Sequence, residues 1–337
     1  MQANRIIPGI ALCAVIGGAA WALGSVERRM FGQAWVEPLV LAILIGAAVR
    51  TWWTPGVRWQ PGINASARQL LEAAVVLLGA SVDVPLLLRA GPSLALGIVI
   101  VVALGIGMSY SVSRALGLNR KLSMLVACGN SICGNSAIAA VAPVIDAEPS
   151  DVASSIAFTA VLGVVAVLVL PELGHLLGYS AFQFGVLAGL SVYAVPQVLA
   201  VTLSVSPVSA EIGTLVKLVR VLMLGPVIIV LSLIRHRRRD ASVRVTLPPL
   251  SRLVPWFIVG FLVLAGLRSA GAIGTAVVPV MRTSATVLTV LAMAALGLGV
   301  DVRVMRRVGA SVTAAVSGSL VALVVVSVTL IALLRLV

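Results

Sequence analysis

The stretch Cys128-Gly-Asn-Ser-Ile-Cys-Gly-Asn-Ser-Ala137 decides how this chain is interpreted. It lies in the apolar segment 122–145 and places two glycines, two asparagines and two serines within eight residues. Glycine weakens a helix by about 1 kcal/mol relative to alanine, and Asn and Ser side chains compete for backbone hydrogen bonds. The pattern predicts a helix broken near the bilayer centre, with freed backbone groups facing a polar cavity. A small-residue packing face is the alternative, although close packing alone does not require asparagine.

The composition around this stretch is that of a membrane protein. Of 337 residues, 60% are hydrophobic and 10% are charged, and no soluble domain of this size could cover so much apolar surface. Repeated apolar runs of about 20 residues predict an all-α polytopic membrane protein with about eleven transmembrane helices. The net charge of +13 would suit nucleic acid in a soluble protein, but here the cations lie mostly in short loops and aromatic residues make up only 4%.

The distribution of Lys and Arg predicts the topology. With a cytoplasmic N-terminus, most loop cations fall on the cytoplasmic side and the acidic loop 146–151 falls outside, which places the C-terminus outside. We expect one transmembrane domain over residues 1–337. A basic cytoplasmic loop, 235–252, divides it into halves of about 1–234 and 253–337, and its arginines anchor the topology or contact anionic lipid.

An internal repeat supports a transporter architecture. The sequence Gly79-Ala-Ser-Val-Asp83-Val, which continues to Arg89 and Gly91, is similar to Gly297-Leu-Gly-Val-Asp301-Val, which continues to Arg307 and Gly309. In our helix count the copies end the third and tenth segments, so they have opposite orientations in the membrane. Inverted-topology repeats of this kind occur in many secondary transporters. A helix cap or turn is the simpler role for the two aspartates.

A second interrupted segment spans 185–200. Pro196 removes a helical hydrogen bond, and Gly189, Ser191, Tyr193 and Gln197 recur at spacings that can share one helix face. A kinked helix with one polar seam explains the pattern equally well. As a functional hypothesis, the seam faces the first broken segment across a cavity.

Two cations occur inside an apolar segment. Lys217 and Arg220 lie three residues apart, so they share one side of a helix. A charge at this depth costs about 2.5–3.5 kcal/mol on insertion scales, which makes such residues candidates for function. Near half-helix N-termini they would suit an anion. The alternatives are snorkelling to an interface or pairing with Glu211 or Glu72, although Glu72 is expected to pair with Arg68 four residues earlier.

The sequence offers no support for an enzyme. It contains no nucleotide-binding loop, no HExxH motif and no Ser/His/Asp set, and we expect no cofactor. The three cysteines have an odd count and no Cys or His partners in metal-ligand spacing, so we expect neither a disulfide framework nor a metal site.

The run Gly129-Asn-Ser-Ile-Cys-Gly-Asn-Ser-Ala-Ile-Ala-Ala140 resembles the YeiH-type family of bacterial inner-membrane proteins, which are named as sulfate exporters. That family carries Ser-Ile-Cys-Gly-x-Ser-Ala-Ile-Ala-Ala in a mid-chain helix. Further similarities are Gly189-x-Ser191 with Gln197-Val, Lys217-x-x-Arg220-Val and Ala295-Leu-Gly-Leu, spread over about 80% of the chain. The resemblance implies a transporter of ten or eleven helices with inverted repeats, similar to sodium/proton antiporters and bile-acid symporters, in the bacterial inner membrane.

The chain departs from the family pattern at two places. Tyr193-Ala194 stand where the family usually has His-Glu, and Asn130 and Asn135 replace a hydroxyl and a small residue. The first change removes a pair that could carry protons or bind a coupling ion, and the second makes the expected cavity more polar.

These observations favour a secondary transporter that exports sulfate or a related small inorganic or organosulfur anion by alternating access. The candidate coupling ions are a proton and sodium, and the candidate assembly is a homodimer. A cation/proton antiporter and a non-transporting membrane scaffold or sensor are the alternatives. The predicted helix breaks are Gly129, Gly134, Pro143 and Pro196. The predicted substrate-binding residues are Asn130, Ser131, Asn135, Ser136, Ser191, Tyr193, Gln197, Lys217 and Arg220.

Overall fold

The computed structural model describes residues 3–31, 37–81, 84–238, 255–274, 276–300 and 310–334. Within these ranges the regular structure is entirely helical, which confirms the all-α class. Fifteen α-helices are present there, joined in places by π-helical or 3₁₀ turns. They are α1 (Ala3–Phe31), α2 (Pro38–Trp52), α3 (Gln60–Ala65), α4 (Leu71–Leu78), α5 (Val84–Ala115), α6 (Arg120–Cys128), α7 (Asn135–Val141), α8 (Pro149–Leu176), α9 (Ala181–Ser191), α10 (Val195–Leu203), α11 (Pro207–Leu222), α12 (Leu224–Arg238), α13 (Trp256–Ser269), α14 (Val277–Leu298) and α15 (Ala310–Leu333).

Six helical stretches in the described ranges are long and apolar enough to cross a membrane. They are Ile6–Glu27, Pro92–Ala115, Pro149–Leu176, Pro207–Ile234, Val277–Leu298 and Ser311–Leu333. Three shorter apolar helices are Pro38–Trp52, Ala181–Ser191 and Trp256–Ser269. The predicted membrane-spanning class is therefore confirmed.

Side-chain caps fix where several helices begin. The Asn119 side chain accepts a hydrogen bond from the Leu122 backbone N–H at 2.8 Å, which starts α6. Ser180 and Gln183 form a reciprocal capping box at the start of α9. The Ser206 side chain caps α11 by accepting a hydrogen bond from the Ser209 N–H at 3.0 Å, and Pro207 takes the first helical position, where its missing N–H costs nothing.

The helices pack as two bundles. The first bundle contains α1–α4, α13 and α14, and the second contains α5–α12 and α15. The predicted halves 1–234 and 253–337 each contribute to both bundles. Glycines allow the closest approaches: a Cβ added at Gly297 would lie 2.3 Å from the Ile43 carbonyl oxygen, and one at Gly46 would lie 2.6 Å from that of Ala294. Only glycine lets α2 and α14 approach this closely.

The structure tests two predictions and leaves other features undescribed. The acidic loop 146–151 was expected on the opposite side of the membrane from Arg120 and Lys121, and this is wrong, because Asn119 Nδ2 lies 3.2 Å from Asp151 Oδ1 and both therefore lie on one side.

Arg68 Nε lies 3.3 Å from Glu72 Oε1, which confirms the expected ion pair. Helix α12 continues to Arg238, so the first residues of the predicted basic loop are helical. The rest of that loop, and Asp83 and Asp301 of the predicted repeat, lie outside the described residues.

Candidate functional site

The first interruption follows α6. A π-helical turn, Gly129–Cys133, continues from Cys128, and Gly134 then adopts φ 65° and ψ −125° before α7 begins at Asn135. This positive φ is unfavourable for residues with a Cβ. A Cβ at Gly134 would also approach Tyr193 Cβ to 3.2 Å. Glycine therefore allows the chain to leave helical geometry here. Pro143 lies in the turn that follows α7.

The second interruption separates α9 from α10. Helix α9 ends at Ser191, and both Val192 and Ala194 are extended. Pro196 is the second residue of α10, where the missing N–H is tolerated. Gln197 Oε1 accepts a hydrogen bond from the Ala194 N–H at 3.2 Å and so stabilises the new helix start.

Lys217 donates hydrogen bonds to backbone carbonyls at both interruptions. Its side chain, on α11, is fully buried, and Nζ donates to the carbonyl oxygens of Ile132 at 2.6 Å and Val192 at 2.8 Å. One acceptor belongs to the π-helical turn and the other follows α9. The ammonium therefore satisfies a backbone carbonyl at each break.

Arg220 makes the same connection one turn later on α11. Its Nε donates to the Ser131 carbonyl at 3.1 Å and Nη2 to that of Asn130 at 2.9 Å. Nη1 donates to the Gly189 carbonyl at 2.8 Å and, more weakly, to that of Val192 at 3.4 Å. The fully buried guanidinium thus binds carbonyls from both interrupted helices.

These contacts change one part of the sequence-based hypothesis. The two cations bond to the C-terminal ends of the half-helices rather than to N-terminal ends. The last carbonyls of a helix lack intrahelical donors and carry a partial negative charge, so cations are favoured there. A stabilising role for Lys217 and Arg220 is thus visible in the structure independently of any ligand.

The positive charge at the crossing is not matched by a carboxylate in the described ranges. Their buried polar and charged residues include Lys217 and Arg220 but no Asp or Glu. Carbonyl dipoles stabilise the cations without removing their net charge. The site therefore holds two basic side chains away from water, with no acidic residue buried beside them in the described ranges.

Four predicted site residues lie buried near this crossing with unused hydrogen-bonding atoms. Within the described structure, Asn130 Oδ1 and the hydroxyls of Ser131, Ser191 and Tyr193 have no partner. The Asn130 amide nitrogen has a long contact, 3.4 Å, to the Val316 carbonyl of α15. Buried polar atoms are normally paired, so these four are available to a small polar ligand or to water.

The other predicted residues have different surroundings. Asn135 and Ser136 are exposed at the start of α7, and Asn135 Oδ1 accepts a hydrogen bond from Thr159 Oγ1 at 2.6 Å. Gln197 is buried against α8, where a Cβ at Gly163 would clash with its amide. Sequence reasoning missed Thr159, which orients Asn135, because an isolated threonine in an apolar helix carries no local signal.

Comparison with known proteins identifies relatives along almost the whole chain. The family described as Conserved hypothetical protein 698 matches residues 8–315. A UPF0324 membrane protein from Brucella melitensis is 54% identical over 331 residues, covering 98% of this chain and 92% of the relative. One from Bradyrhizobium diazoefficiens is 53% identical over 326 residues, covering 97% and 92%.

A more distant relative extends the similarity. A UPF0324 membrane protein from Bacillus cereus is 31% identical over 304 residues, covering 89% of this chain and 87% of the relative. These descriptions specify a membrane protein and no substrate. The chain belongs to the UPF0324 membrane protein family, described as Conserved hypothetical protein 698.

Proposed function

We propose that this chain is a secondary transporter that exports sulfate or a related small anion across the bacterial inner membrane by alternating access. One observation carries the proposal: Lys217 and Arg220 are fully buried at the crossing of two interrupted helices and have no acidic partner among the described residues. A charge taken out of water is costly unless it is compensated. An anion bound at the crossing would supply that compensation.

The donors left at the crossing are of the kind that binds a tetrahedral oxyanion. Lys217 uses two of its three N–H groups on carbonyls, so one remains. The hydroxyls of Ser131, Ser191 and Tyr193 are buried and unpartnered within the described structure. Asn130, whose Oδ1 is also buried without a partner, adds a neutral polar group to the proposed wall. Neutral hydrogen-bond donors around a positive charge can bind an anion without any covalent reaction.

The proposed architecture has nine crossings, two re-entrant segments and inverted repeats. Besides the six long helical stretches, α2 and α13 are apolar, and three interrupted helices extend over 60–81, 120–141 and 181–203. The segments 120–141 and 181–203 each return to the side they enter, because Asn119 Nδ2 lies 3.2 Å from Asp151 Oδ1 and Ser209 Oγ donates to the Ala181 carbonyl at 2.6 Å. Counting 60–81 as one crossing therefore gives nine. We propose that the second bundle, which holds the crossing, moves against the first to alternate access, with a proton or sodium as coupling ion.

Flux measurements test the proposal. Purified protein in liposomes should exchange radiolabelled sulfate, sulfite or a sulfonate. Ser191→Ala and Tyr193→Phe remove hydroxyls that bond to nothing in the described structure, so they should leave folding intact. Each is expected to reduce anion affinity about tenfold or more, the usual effect of losing a hydrogen bond to a charged group. Ser327→Ala, in which the lost hydroxyl bonds only to the Leu323 carbonyl, is the matched control.

The alternatives predict different results in the same preparation. A cation/proton antiporter would be thermally stabilised by sodium or by a change in pH, with no effect of anions, because a ligand that binds the folded state raises its melting temperature. A scaffold or sensor would move no ion. The absence of anion flux together with unchanged anion binding in Lys217→Ala would rule out the proposed transporter.

A further inference from the structure

Two helical hairpins meet at the crossing. Hairpin 1 consists of α6, the π-helical turn and α7, and hairpin 2 consists of α9 and α10. Asn119 Nδ2, just before hairpin 1, lies 3.2 Å from Asp151 Oδ1 of α8, so hairpin 1 enters and leaves on the side of the acidic loop 146–151. Ser209 Oγ donates to the Ala181 carbonyl at 2.6 Å, so hairpin 2 also begins and ends on one side. Because the long helix α8 lies between the hairpins in the chain, the two sides are opposite.

The returning arms of the two hairpins differ in exposure. In hairpin 2, every residue of α10 from Val195 to Thr202 is buried. In hairpin 1, Asn135, Ser136 and Ala139 of α7 are exposed, and their spacing places them on one face of the helix. This exposed face begins one residue after the buried Gly134. The interior at the tips is thus closest to the surface along α7.

The exposed face of α7 has the composition of a surface in contact with water. Where α8 is exposed beyond its middle, it carries large apolar side chains such as Val165 and Leu168, at 43% and 46%. The face of α7 carries instead an amide, a hydroxyl and a methyl group. Polar side chains at the depth of a hairpin tip are costly in lipid and normally line a cavity. The face therefore borders a water-filled path to the crossing.

A side-chain hydrogen bond ties the start of α7 to α8. Thr159 Oγ1 donates to Asn135 Oδ1 at 2.6 Å, and Thr159 is itself buried. The preceding residue, Gly134, has φ 65° and lies against Tyr193 of the other hairpin. A glycine can absorb large changes in backbone angles, so α7 can turn about Gly134 while α6 stays in place.

We propose that α7 is the gate of the transporter on the side of the acidic loop, that it turns about Gly134, and that the bond from Thr159 to Asn135 holds it closed. This inference rests on the proposed transport function and names the element that admits the anion. When the gate opens, Gly134 leaves Tyr193, and the Ser131 and Tyr193 hydroxyls, which are unpartnered within the described structure, become accessible. The distribution of Lys and Arg makes this side cytoplasmic, where an exporter must take up its substrate.

Cysteine labelling from each side of the membrane tests the path. In full-length protein whose native cysteines are replaced by alanine, Ser136→Cys and Ala139→Cys are treated with sulfonatoethyl methanethiosulfonate, an anionic reagent that does not cross membranes. Both should react in inverted vesicles, which expose the cytoplasmic side, and reaction should be lost in spheroplasts, which expose the other side. Val165→Cys is the control, because a thiol that faces lipid should react in neither preparation.

Two results would overturn the path. If Ser136→Cys and Ala139→Cys react no faster than Val165→Cys in inverted vesicles, the exposed face of α7 lies in lipid. If they react as fast or faster in spheroplasts, the path opens on the other side.

The rate at which Cys133 reacts with the same reagent tests the gate. Cys133 is buried at the tip, so as the sole cysteine it should react only when hairpin 1 opens. Thr159→Val keeps the side-chain shape and removes the bond to Asn135, so the rate in inverted vesicles should rise about twofold to tenfold, the effect of losing one hydrogen bond. Asn135→Ala removes the same bond from its exposed end and should give the same increase if Thr159→Val fails to fold.

Conservative variants separate the gate from a general loosening of the protein. Thr159→Ser keeps the hydroxyl and should keep the original rate. Thr289→Val is the matched control, because Thr289 is also buried and its hydroxyl bonds to the Ala285 carbonyl within α14. Unchanged Cys133 rates in the folded Thr159→Val and Asn135→Ala variants, or an equal rise in Thr289→Val, would refute the gate.

The outcome can be separated from that of the transport proposal. Anion flux with unreactive Ser136→Cys and Ala139→Cys would leave the transporter in place and remove the gate. Labelling of Cys133 that depends on Thr159, without flux of any anion, would leave the moving hairpin in place and remove the transporter.

Discussion

At the scale of single residues, Lys217 combines a structural and a proposed functional role. Its ammonium donates hydrogen bonds to a backbone carbonyl at each helix break. No buried Asp or Glu in the described ranges pairs with it. The structural role needs a hydrogen-bond donor for the two carbonyls, and the proposed anion-binding role needs a positive charge. Substitutions can therefore separate the two roles.

Lys217→Met and Lys217→Gln should therefore differ. Methionine removes the Lys217 hydrogen bond from the Ile132 carbonyl, at about 1–3 kcal/mol, and leaves the Val192 carbonyl only its long contact to Arg220, whereas glutamine keeps a donor and loses only the charge. We expect the melting temperature to fall more in Lys217→Met, and anion binding to be lost in both. Lys121→Met is the control, because Lys121 is exposed and its bond to the Asp146 carbonyl is open to water, so neither measurement should change much. Equal melting temperatures for the two Lys217 variants would show that the carbonyl contacts contribute little.

Gly134 determines the direction of the chain between the π-helical turn and α7. Gly134→Ala places a Cβ at φ 65° and 3.2 Å from Tyr193 Cβ, so it should destabilise the protein by about 1–3 kcal/mol. Gly107→Ala, on an open face of α5, should be neutral or slightly stabilising. Thermal unfolding of the two variants in detergent measures the difference.

At the scale of helices, glycine contacts hold α9 against α11. A Cβ at Gly189 would lie 2.7 Å from the Gly213 carbonyl oxygen and from Val216 Cβ, and one at Gly185 would lie 2.7 Å from the Ser209 carbonyl oxygen. This close approach brings the Gly189 carbonyl within reach of Arg220. The packing of α9 on α11 thus positions both cations between the breaks.

Gly189→Ala should push these helices apart. Overpacking of this kind costs about 1–3 kcal/mol, and the displaced carbonyl would lengthen its bond to Arg220. We expect a lower melting temperature together with weaker anion binding. Gly266→Ala, on α13, has open space for its methyl group and serves as the control. An unaffected melting temperature in Gly189→Ala would contradict the tight α9–α11 packing.

At the scale of the whole molecule, alternating access must open the crossing to water. Cys133 is buried beside Lys217 and Arg220, whereas Cys13 is buried in the first bundle. In single-cysteine variants in proteoliposomes, a cationic methanethiosulfonate should modify Cys133, and a transported anion should slow that reaction. Cys13 should show no anion protection. If Cys133 never reacts, the interior is dry and the scaffold alternative is favoured.

Reporter fusions test the expected topology. The Lys and Arg distribution and the odd number of proposed crossings, nine, predict a cytoplasmic N-terminus and an external C-terminus. Alkaline phosphatase, which is active only after export, should be active when fused after residue 337 and inactive when fused within 239–252. Activity at the second position would reverse the assignment of that loop.

Local sequence determined the helical segments and one ion pair. Apolar runs of membrane length do not depend on distant contacts, and Arg68 with Glu72 follows from helical spacing alone. The cluster of Gly, Asn and Ser marked the region where α6 gives way to α7, because their effects on a helix are local.

Only the tertiary structure decided what Lys217 and Arg220 bind. Their acceptors are backbone carbonyls 25 to 90 residues away in sequence, and every residue except proline offers the same N–H and C=O groups. Their selection depends on how closely α9 and α11 approach and on which carbonyls the two breaks leave without donors. The sequence by itself therefore identified two buried cations, and the packing of the interrupted helices placed them at C-terminal ends.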